Sequence, residues 1–285
     1  MAPKGILIPI GGNEDKGLEL REDFRLEFVE DSILSHVVRE AGGPDANIVI
    51  IPTASSIPEE VSANYLRAFE QLGCRNLKVL NIRNRMHSTT AATISALESA
   101  DCVMFSGGDQ SKIAKFIGGT KAHEILKKRY QNERIVIAGT SAGAMAMSKE
   151  MVAGGSSQES LYKGAVHMRI GLGLIEGLII DTHFIRRGRF GRLAEAVAIH
   201  PTLLGLGLAE DTGIIIENGN HFRVIGSGMV ILFDPSHLSH NSHRVLPEGT
   251  PISLGNLSVH ILANNDEFMI NDRRVMISPL EAGYI

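Results

Sequence analysis

The chain reads RIVIAGTSAGA over residues 134–144, a stretch that predicts a strand, a sharp turn and a helix in succession. Its first half is a short aliphatic run, two glycines then flank Ser141, and an Ala-rich stretch follows. The pattern G-x-S-x-G between a strand and a helix predicts a sharp turn that exposes the serine hydroxyl above the sheet. The N–H of Ala142 would then point toward a developing oxyanion. A tight βα turn with Ser141 as a helix N-cap would show the same residues.

Short aliphatic runs alternate with stretches of helical spacing through the first half of the chain. The runs are nearly continuous in Val, Ile and Leu, which is typical of strands buried on both faces. Strands that alternate with helices predict βαβ units and a mostly parallel, doubly wound α/β sheet flanked by helices. The predicted strands are residues 5–10, 47–51, 77–82, 102–106 and 134–138, and the predicted helices are 58–72, 91–99, 110–116 and 121–131.

The pattern changes after about residue 208. Residues 214–217 and 221–225 flank Asn218-Gly219, which tolerates the positive φ angles of a type I′ turn, so they predict a β-hairpin. Residues 229–233 and 259–261 continue in the same β-rich style. Because we find no repeat, low-complexity tract or linker, we expect one domain over residues 1–285 with an antiparallel C-terminal β extension.

The composition fits a globular protein with an aliphatic core, since 44% of the 285 residues are hydrophobic and 5% are aromatic. A net charge of −4 provides no general attraction to nucleic acid or to anionic membranes. The two cysteines, Cys74 and Cys102, make no disulfide framework and suit a reducing cytoplasm. Residues 1–10 lack a long apolar signal region, and no run of 18 apolar residues occurs. We therefore expect a cytoplasmic protein without nucleic-acid or membrane partners.

Two glycine-rich junctions fall at the carboxyl ends of predicted strands, where ligands collect in open parallel sheets. One is the turn around Ser141, and the other is the sequence SGGDQ at residues 106–110. Glycine permits close approach of the backbone to a ligand, so this second turn is a candidate source of a second oxyanion N–H. Neither junction has the Gly-Lys-Ser/Thr ending of a P-loop or the spaced glycines of a dinucleotide fingerprint, so we expect no nucleotide cofactor.

A nucleophilic serine needs a base, and His183 stands out among the 11 histidines. It follows an apolar run that would deliver it to the same rim of the sheet as Ser141, although a core or capping histidine would fit there equally. The three histidines between residues 237 and 243 indicate a polar loop, because no acidic or cysteine ligand pattern accompanies them. The base needs an acid that orients the imidazole. Asp181 and Glu210 are both candidates, and their spacing does not choose between them.

Four arginines follow His183 in the chain: Arg186, Arg187, Arg189 and Arg192. Arg189 and Arg192 lie three residues apart at the start of a predicted helix that runs to about residue 200, so they can share one face. The guanidinium fork binds carboxylates in bidentate fashion. In a net-acidic chain, the cluster therefore indicates recognition of a substrate carboxylate. A solvated helix start would carry the same charges.

Taken together, these motifs resemble the motif series of the cyanophycinase family, whose relatives include peptidase E, the α-aspartyl dipeptidase. The resemblance runs from about residue 5 to residue 230. It implies a fold related to class I glutamine amidotransferases, with a serine at the nucleophile position. The motifs are Gly11-Gly12-Asn13-Glu14-Asp15-Lys16, Gly107-Gly108-Asp109-Gln110, Gly139-Thr140-Ser141-Ala142-Gly143-Ala144, Gly154-Gly155-Ser156-Ser157, Asp181-Thr182-His183-Phe184 and Glu210-Asp211-Thr212.

By motif match, the resemblance implies that Ser141 is the nucleophile, His183 the general base and Glu210 the acid. It also implies that the N–H groups of Gly108 and Ala142 form the oxyanion hole. A polar band would line the substrate pocket, and its members would be Gln110, Asp181, Arg187, Arg189 and Arg192. The chain order Ser, His, Glu differs from the order Ser, acid, His of α/β-hydrolases, and this difference argues against an esterase of that class.

The family's substrate is cyanophycin, a poly-aspartate with arginine on each β-carboxyl, cut from its C-terminal end into β-Asp-Arg dipeptides. The resemblance implies this serine exopeptidase activity, a homodimer, and no metal or other cofactor. The sequence departs from the family pattern near the histidine, where Thr182, Ile185, Arg186 and Gly188 occupy positions that we expect to be more polar. The alternatives are an aspartyl dipeptidase similar to peptidase E and a binding protein that lost the activity.

Overall fold

A computed structural model describes residues 1–18, 26–155 and 160–278, so the motif residues Ser156 and Ser157 lie outside the described residues. The strands in the described part are β1 (Ile6–Ile10), β2 (Ile48–Ile51), β3 (Leu77–Val79), β4 (Cys102–Phe105), β5 (Val136–Thr140), β6 (Glu150–Gly155), β7 (Val166–Ile170), β8 (Leu178–Asp181), β9 (Leu204–Leu208), β10 (Thr212–Glu217), β11 (His221–Gly226), β12 (Val230–Asp234), β13 (His240–Asn241), β14 (Leu254–Gly255), β15 (Ser258–Leu262), β16 (Glu267–Met269) and β17 (Arg274–Met276). The helices are α1 (Phe28–Asp31), α2 (Ile33–Glu40), α3 (Pro58–Gln71), α4 (Ala91–Ser99), α5 (Gln110–Phe116), α6 (Lys121–Asn132), α7 (Ala142–Met145) and α8 (Phe190–Ile199).

Within the described residues, the central sheet has nine strands in the order β17-β16-β11-β10-β1-β5-β4-β2-β3. The five strands from β1 to β3 in this order run parallel to one another. The other four, β10, β11, β16 and β17, add antiparallel pairs at the opposite side. The predicted α/β class, with a parallel core and an antiparallel extension, is confirmed. The third predicted strand is shorter than expected, since it ends at Val79 and not at residue 82.

Both faces of the parallel sheet are covered by helices, which explains why its strands lack a polar alternation. In β4, Val103 and Phe105 belong to the apolar cluster on one face, whereas Cys102 and Met104 belong to the cluster on the other. The first cluster includes side chains of α4, α5 and α6, and the second includes side chains of α2 and α3. Successive residues of a strand point to opposite faces, so a strand between two helical layers must be apolar throughout.

A second sheet, which has four strands in the described part of the chain, has the order β15-β12-β9-β8. Strands β8 and β9 are parallel, and β12 is antiparallel to both β9 and β15. Helix α8 packs against this sheet through an apolar cluster that includes Leu193, Val197 and Phe233. The sequence did not predict that the C-terminal β-rich part divides between two sheets.

The predicted hairpin is present as β10 and β11, in which Glu217 pairs with His221. Asn218 and Gly219 have φ angles of 55° and 62°, as a type I′ turn requires. The loop holds one residue more than a two-residue turn, namely Asn220, whose N–H donates to the Glu217 carbonyl oxygen at 3.1 Å. Among the residues that the structure describes, no helix is long and apolar enough to cross a bilayer.

Candidate active site

Ser141 lies in a strained turn between β5 and α7, with φ 50° and ψ −109°. Such a backbone conformation is unfavourable for a residue with a Cβ atom and tends to occur at functional sites. The flanking glycines make the turn possible, because a Cβ on Gly139 would lie 2.6 Å from the carbonyl carbon of Gly143. Likewise, a Cβ on Gly143 would lie 2.7 Å from the carbonyl oxygen of Phe105. The Ser141 side chain makes no capping hydrogen bond, so the geometry is that of an exposed nucleophile and not of a simple N-cap.

The hydroxyl of Ser141 lies beside His183, with Oγ 3.1 Å from Nε2. On the other side of the imidazole ring, Nδ1 is 2.6 Å from Oε1 of Glu210. A carboxylate can only accept hydrogen bonds, so this contact places the proton on Nδ1 and leaves Nε2 to accept the serine proton. The three residues come from three separate loops and form a Ser–His–Glu triad. Of the two acids that the sequence left open, the structure brings Glu210 and not Asp181 to the histidine.

The surroundings of His183 keep its imidazole neutral. Burial lowers its pKa below the usual value, and the charges of Arg187 and Arg189 lower it further. The hydrogen bond and the negative charge of Glu210 act in the opposite direction but do not outweigh them. Glu210 has a lowered pKa: burial alone would raise it, but hydrogen bonds and charges from Arg186 and His183 prevail. A neutral imidazole beside an ionised carboxylate is the state in which a general base can accept a proton.

A cleft of about 380 Å³ opens above Ser141, within the usual size range of small-ligand sites. Gly108, at φ 137°, has no room for a side chain, because a Cβ would overlap the carbonyl oxygen of Ala54. The position of a Cβ on Gly107 is 3.4 Å from the Cβ of Ser141, so this backbone passes close to the nucleophile. The cleft is lined by Gly12, Asn13, Glu14, Lys16, Val61, Asn64, Tyr65, Gly107, Gly108, Thr140, Ser141, His183 and Arg187.

The loop that follows β1 connects the backbones of all three parts of the triad. The carbonyl oxygen of Ile10 accepts from the N–H of Ser141 at 2.8 Å, and that of Gly11 accepts from the N–H of His183 at 2.8 Å. The next carbonyl, that of Gly12, accepts from the N–H of Asp211 at 3.0 Å, directly after the triad glutamate. Three successive carbonyl groups therefore fix three segments that are far apart in the chain. The pair Gly11-Gly12 belongs to one of the sequence motifs, but the sequence does not indicate this structural role.

Glu14, in the same loop, lies buried beneath the cleft with 3% of its surface exposed. One carboxylate oxygen accepts from the Tyr65 hydroxyl at 2.5 Å, and the other accepts from the Thr140 hydroxyl at 2.5 Å. The Lys16 ammonium lies 2.9 Å from the first oxygen. Burial alone would raise the pKa of Glu14, but the charge of Lys16 and these hydrogen bonds hold it below its usual value. The carboxylate is therefore ionised, and it is hydrogen-bonded to Thr140, the residue directly before the nucleophile.

The predicted substrate-binding residues do not occupy one common surface. Arg187 lines the cleft, whereas Gln110 donates from Nε2 to the carbonyl oxygen of Val152 at 2.8 Å. Asp181 is fully buried and binds both Arg189, at 3.1 Å, and Arg192, which is itself buried. A role in substrate binding stays a prediction for these residues. The burial of Asp181 and Arg192 favours an indirect one, because their charged groups already satisfy each other beneath the surface.

Arg186, one of the departures from the family pattern, contacts the triad. Its Nη1 donates to Oε2 of Glu210 at 2.8 Å, and its side chain is 69% exposed. The same oxygen accepts from Nδ2 of Asn13 at 3.3 Å. These contacts leave the other carboxylate oxygen to the imidazole and fix the acid's orientation. Among the described residues, no group of three or more His, Cys, Asp or Glu side chains is placed to hold a metal ion.

The fold and the triad together define an α/β serine peptidase. Over residues 24–224, the chain matches the family described as peptidase family S51, and it belongs to that family. It is 37% identical over 275 residues to a protein of Trichormus variabilis named cyanophycinase, covering 96% of this chain and 89% of that protein.

Solved structures share the fold. The crystal structure of a peptidase from an acI-B1 Actinobacterium matches with a TM-score of 0.65 at 20% identity, over 94% of this chain and 98% of that one. A putative peptidase E from Listeria monocytogenes matches with a TM-score of 0.52 at 17% identity, over 80% of this chain and 100% of that one. At these identities the likeness concerns the fold alone, and it confirms that the fold resembles that of the putative peptidase E.

Proposed function

We propose that this peptidase is a serine exopeptidase that hydrolyses cyanophycin from its C-terminal end and releases β-Asp-Arg dipeptides. One observation carries the proposal: the hydroxyl of Ser141, the imidazole of His183 and the carboxylate of Glu210 lie in hydrogen-bonding contact within one open cleft. The match to a protein named cyanophycinase across nearly the whole chain supports the choice of polymer.

The chemistry is acyl transfer in two halves. In the first half, Oγ of Ser141 attacks the scissile carbonyl carbon while its proton passes to Nε2 of His183. The tetrahedral intermediate collapses, the bond to the leaving nitrogen breaks, and the proton on His183 passes to that nitrogen. The dipeptide leaves as an amine, and the remaining polymer stays esterified to Ser141. In the second half, water gives a proton to Nε2 of His183 and attacks the ester carbonyl carbon. The bond between that carbon and Oγ then breaks, His183 returns the proton to Oγ of Ser141, and the shortened polymer leaves with a free carboxyl group.

The charge that develops on the substrate oxygen needs donors that are already in place. We assign the N–H groups of Gly108 and Ala142 to this role. The turn at Gly108 supports the assignment, because its positive φ and the absence of room for a Cβ bring bare backbone to the cleft. Ala142 begins α7 directly after the nucleophile. The short helix places its N–H groups on the side of Ser141, where a negative charge is favoured.

The zwitterionic polymer fits a cleft whose exposed charge is cationic. Arg187 lines the opening, while the carboxylate of Glu14 is buried and its charge is balanced by Lys16. A carboxylate of the departing dipeptide can therefore approach without repulsion. A homodimer in the cytoplasm is the assembly and location that we propose with this activity.

Digestion of purified cyanophycin granules tests the proposal. The wild-type protein should release β-Asp-Arg, detected by chromatography and mass spectrometry, and Ser141→Ala should release none. Ser236→Ala, in a loop of the described chain, is a matched control that should retain activity. If wild-type protein leaves the polymer intact but cleaves Asp-X dipeptides, the alternative of an aspartyl dipeptidase replaces the proposal. If neither substrate is cleaved and a serine-directed phosphonate does not label Ser141, the protein is a binding homologue.

A further inference from the structure

The cleft contains a second cation, Lys16, that the proposed chemistry does not use. Its ammonium lies 2.9 Å from Oε1 of Glu14 and 3.3 Å from the carbonyl oxygen of the same residue. It also lies 5.1 Å from the centre of the Tyr65 ring, in a cation–π contact. The side chain is 25% exposed and lines the cleft together with the nucleophile. The lysine is therefore held in one place at the wall of the active site.

We propose that Lys16 is a substrate-binding residue whose ammonium binds a carboxylate of the ligand in this cleft. An ammonium group has three N–H donors. The two contacts with Glu14 use two of them, and within the described part of the chain no other acceptor contacts the third. A carboxylate that enters the cleft can accept this third proton. The inference rests on the proposed function for the identity of the bound carboxylate, which would belong to the departing β-Asp-Arg unit.

The buried carboxylate of Glu14 explains how a flexible lysine becomes a specific binding group. A free lysine side chain loses conformational entropy when it is fixed. Here Glu14 is itself fixed by the hydroxyl groups of Tyr65 and Thr140, so the position of the ammonium is set before the ligand arrives. A group that is already in place binds more tightly than one that must be ordered. Glu14 is thus a positioning residue, since its buried carboxylate is bound to Tyr65, Thr140 and Lys16 and carries the same charge as the ligand.

The other charged groups of the cleft leave this role to Lys16. The ionisable residues in its lining are Glu14, Lys16, Tyr65, His183 and Arg187, and burial raises the pKa of the Tyr65 hydroxyl, which therefore stays neutral. His183 is kept neutral for proton transfer, and Arg187 is exposed at the surface. Lys16 is therefore the cation that is both partly buried and held by a fixed partner. If Lys16 served only to neutralise Glu14, removal of both charges together would leave the preference for carboxylates unaltered.

Direct binding measurements separate these two roles. In a Ser141→Ala background, calorimetry compares succinate with succinamide, which has the same shape without the charge. We expect succinate to bind at least about 10-fold more tightly, and Lys16→Met to weaken succinate about 10- to 100-fold while succinamide changes little. Lys16→Arg should retain part of the preference. Lys127→Met removes a charge from the exposed surface of α6 and should change nothing.

The Lys16→Met substitution leaves Glu14 buried without its cation, which can destabilise the fold. The double variant Glu14→Gln/Lys16→Met removes both charges, and it should lose the preference for succinate to the same extent. Thermal unfolding of each variant shows whether it is folded. The inference is overturned if succinate fails to bind the Ser141→Ala protein, or if the double variant keeps the preference. Binding of β-Asp-Arg is measured in parallel: its absence beside intact succinate binding counts against the proposed substrate alone.

Discussion

Replacing Glu210 with glutamine removes the negative charge that faces the triad histidine and almost preserves the shape of the side chain. In the structure, Oε1 of Glu210 is 2.6 Å from Nδ1 of His183, and both side chains are largely buried. During the reaction His183 becomes positively charged. Two unit charges about 4 Å apart attract each other by about 4 kcal/mol at an effective dielectric constant of about 20. Each 1.36 kcal/mol of barrier is a factor of ten in rate, so we expect about a 10³-fold loss of kcat/KM.

The glutamine brings a second effect, through the tautomer of the histidine. Its amide can present an N–H to Nδ1 of His183, and the ring proton would then lie on Nε2, where it blocks acceptance of the serine proton. This effect adds to the electrostatic loss. The pKa of His183 should also fall, because the hydrogen bond and charge of Glu210 raise it in the native protein. The base must be neutral to work, so the acidic limb of the pH–rate profile should move to lower pH.

The assay is kcat/KM for release of β-Asp-Arg across pH, together with the rate at which a serine-directed phosphonate labels Ser141. Glu248→Gln, at an exposed loop position, is the control for the chemical change itself. Retention of more than about a tenth of the wild-type rate by Glu210→Gln, or a shift of the acidic limb to higher pH, would refute this reasoning.

Three further substitutions test other parts of the site. Arg187→Gln removes a charge that lowers the pKa of the triad histidine, so the acidic limb of the pH–rate profile should move to higher pH. Arg192→Met leaves the buried carboxylate of Asp181 short of a partner and should reduce the free energy of unfolding by about 3–5 kcal/mol in urea titrations, a loss that adding Asp181→Asn should partly reverse. Gly12→Ala places a Cβ against the imidazole ring and should lower kcat/KM about 10²-fold, whereas Gly42→Ala, with a similar φ of 106° but open space, should retain activity. Equal activity of the two alanine variants would contradict the steric explanation.

The alternation of aliphatic runs and helical stretches was enough to predict the parallel half of the fold. A strand between two helical layers has to be apolar on both faces, and that requirement is visible in a single run of residues. Helices α4 and α5 begin and end where the spacing predicts. The division of the later strands into two sheets was not predictable in this way. Strand β9 pairs with β12 and β8, and the choice of partner depends on contacts far along the chain.

The candidate site was only partly accessible to sequence reasoning. The turn around Ser141 is a local feature, because its glycines are required by close contacts within one loop and with the neighbouring strand. The arginines after His183 predict a carboxylate-binding surface, and in the structure Arg189 and Arg192 bind the carboxylate of the buried Asp181. A charge pattern along a helix does not tell whether its partner lies in the solvent or beneath the helix. That distinction needs the packing of α8 against its sheet.

The class of fold and the strand–turn–helix at Ser141 were therefore predictable from the sequence alone. So was the resemblance to the cyanophycinase family, which implied that Glu210 is the acid of the triad. Each of these follows from short-range sterics, from the burial of strands or from motif order. The tertiary structure assembled the triad, because Ser141 and Glu210 lie 42 and 27 residues from His183 in the chain and the three segments meet through hydrogen bonds to one loop. It also placed Lys16 on the fixed carboxylate of Glu14 inside the cleft. Contacts of this kind depend on where three separate strands end in space, and residue order alone does not specify that.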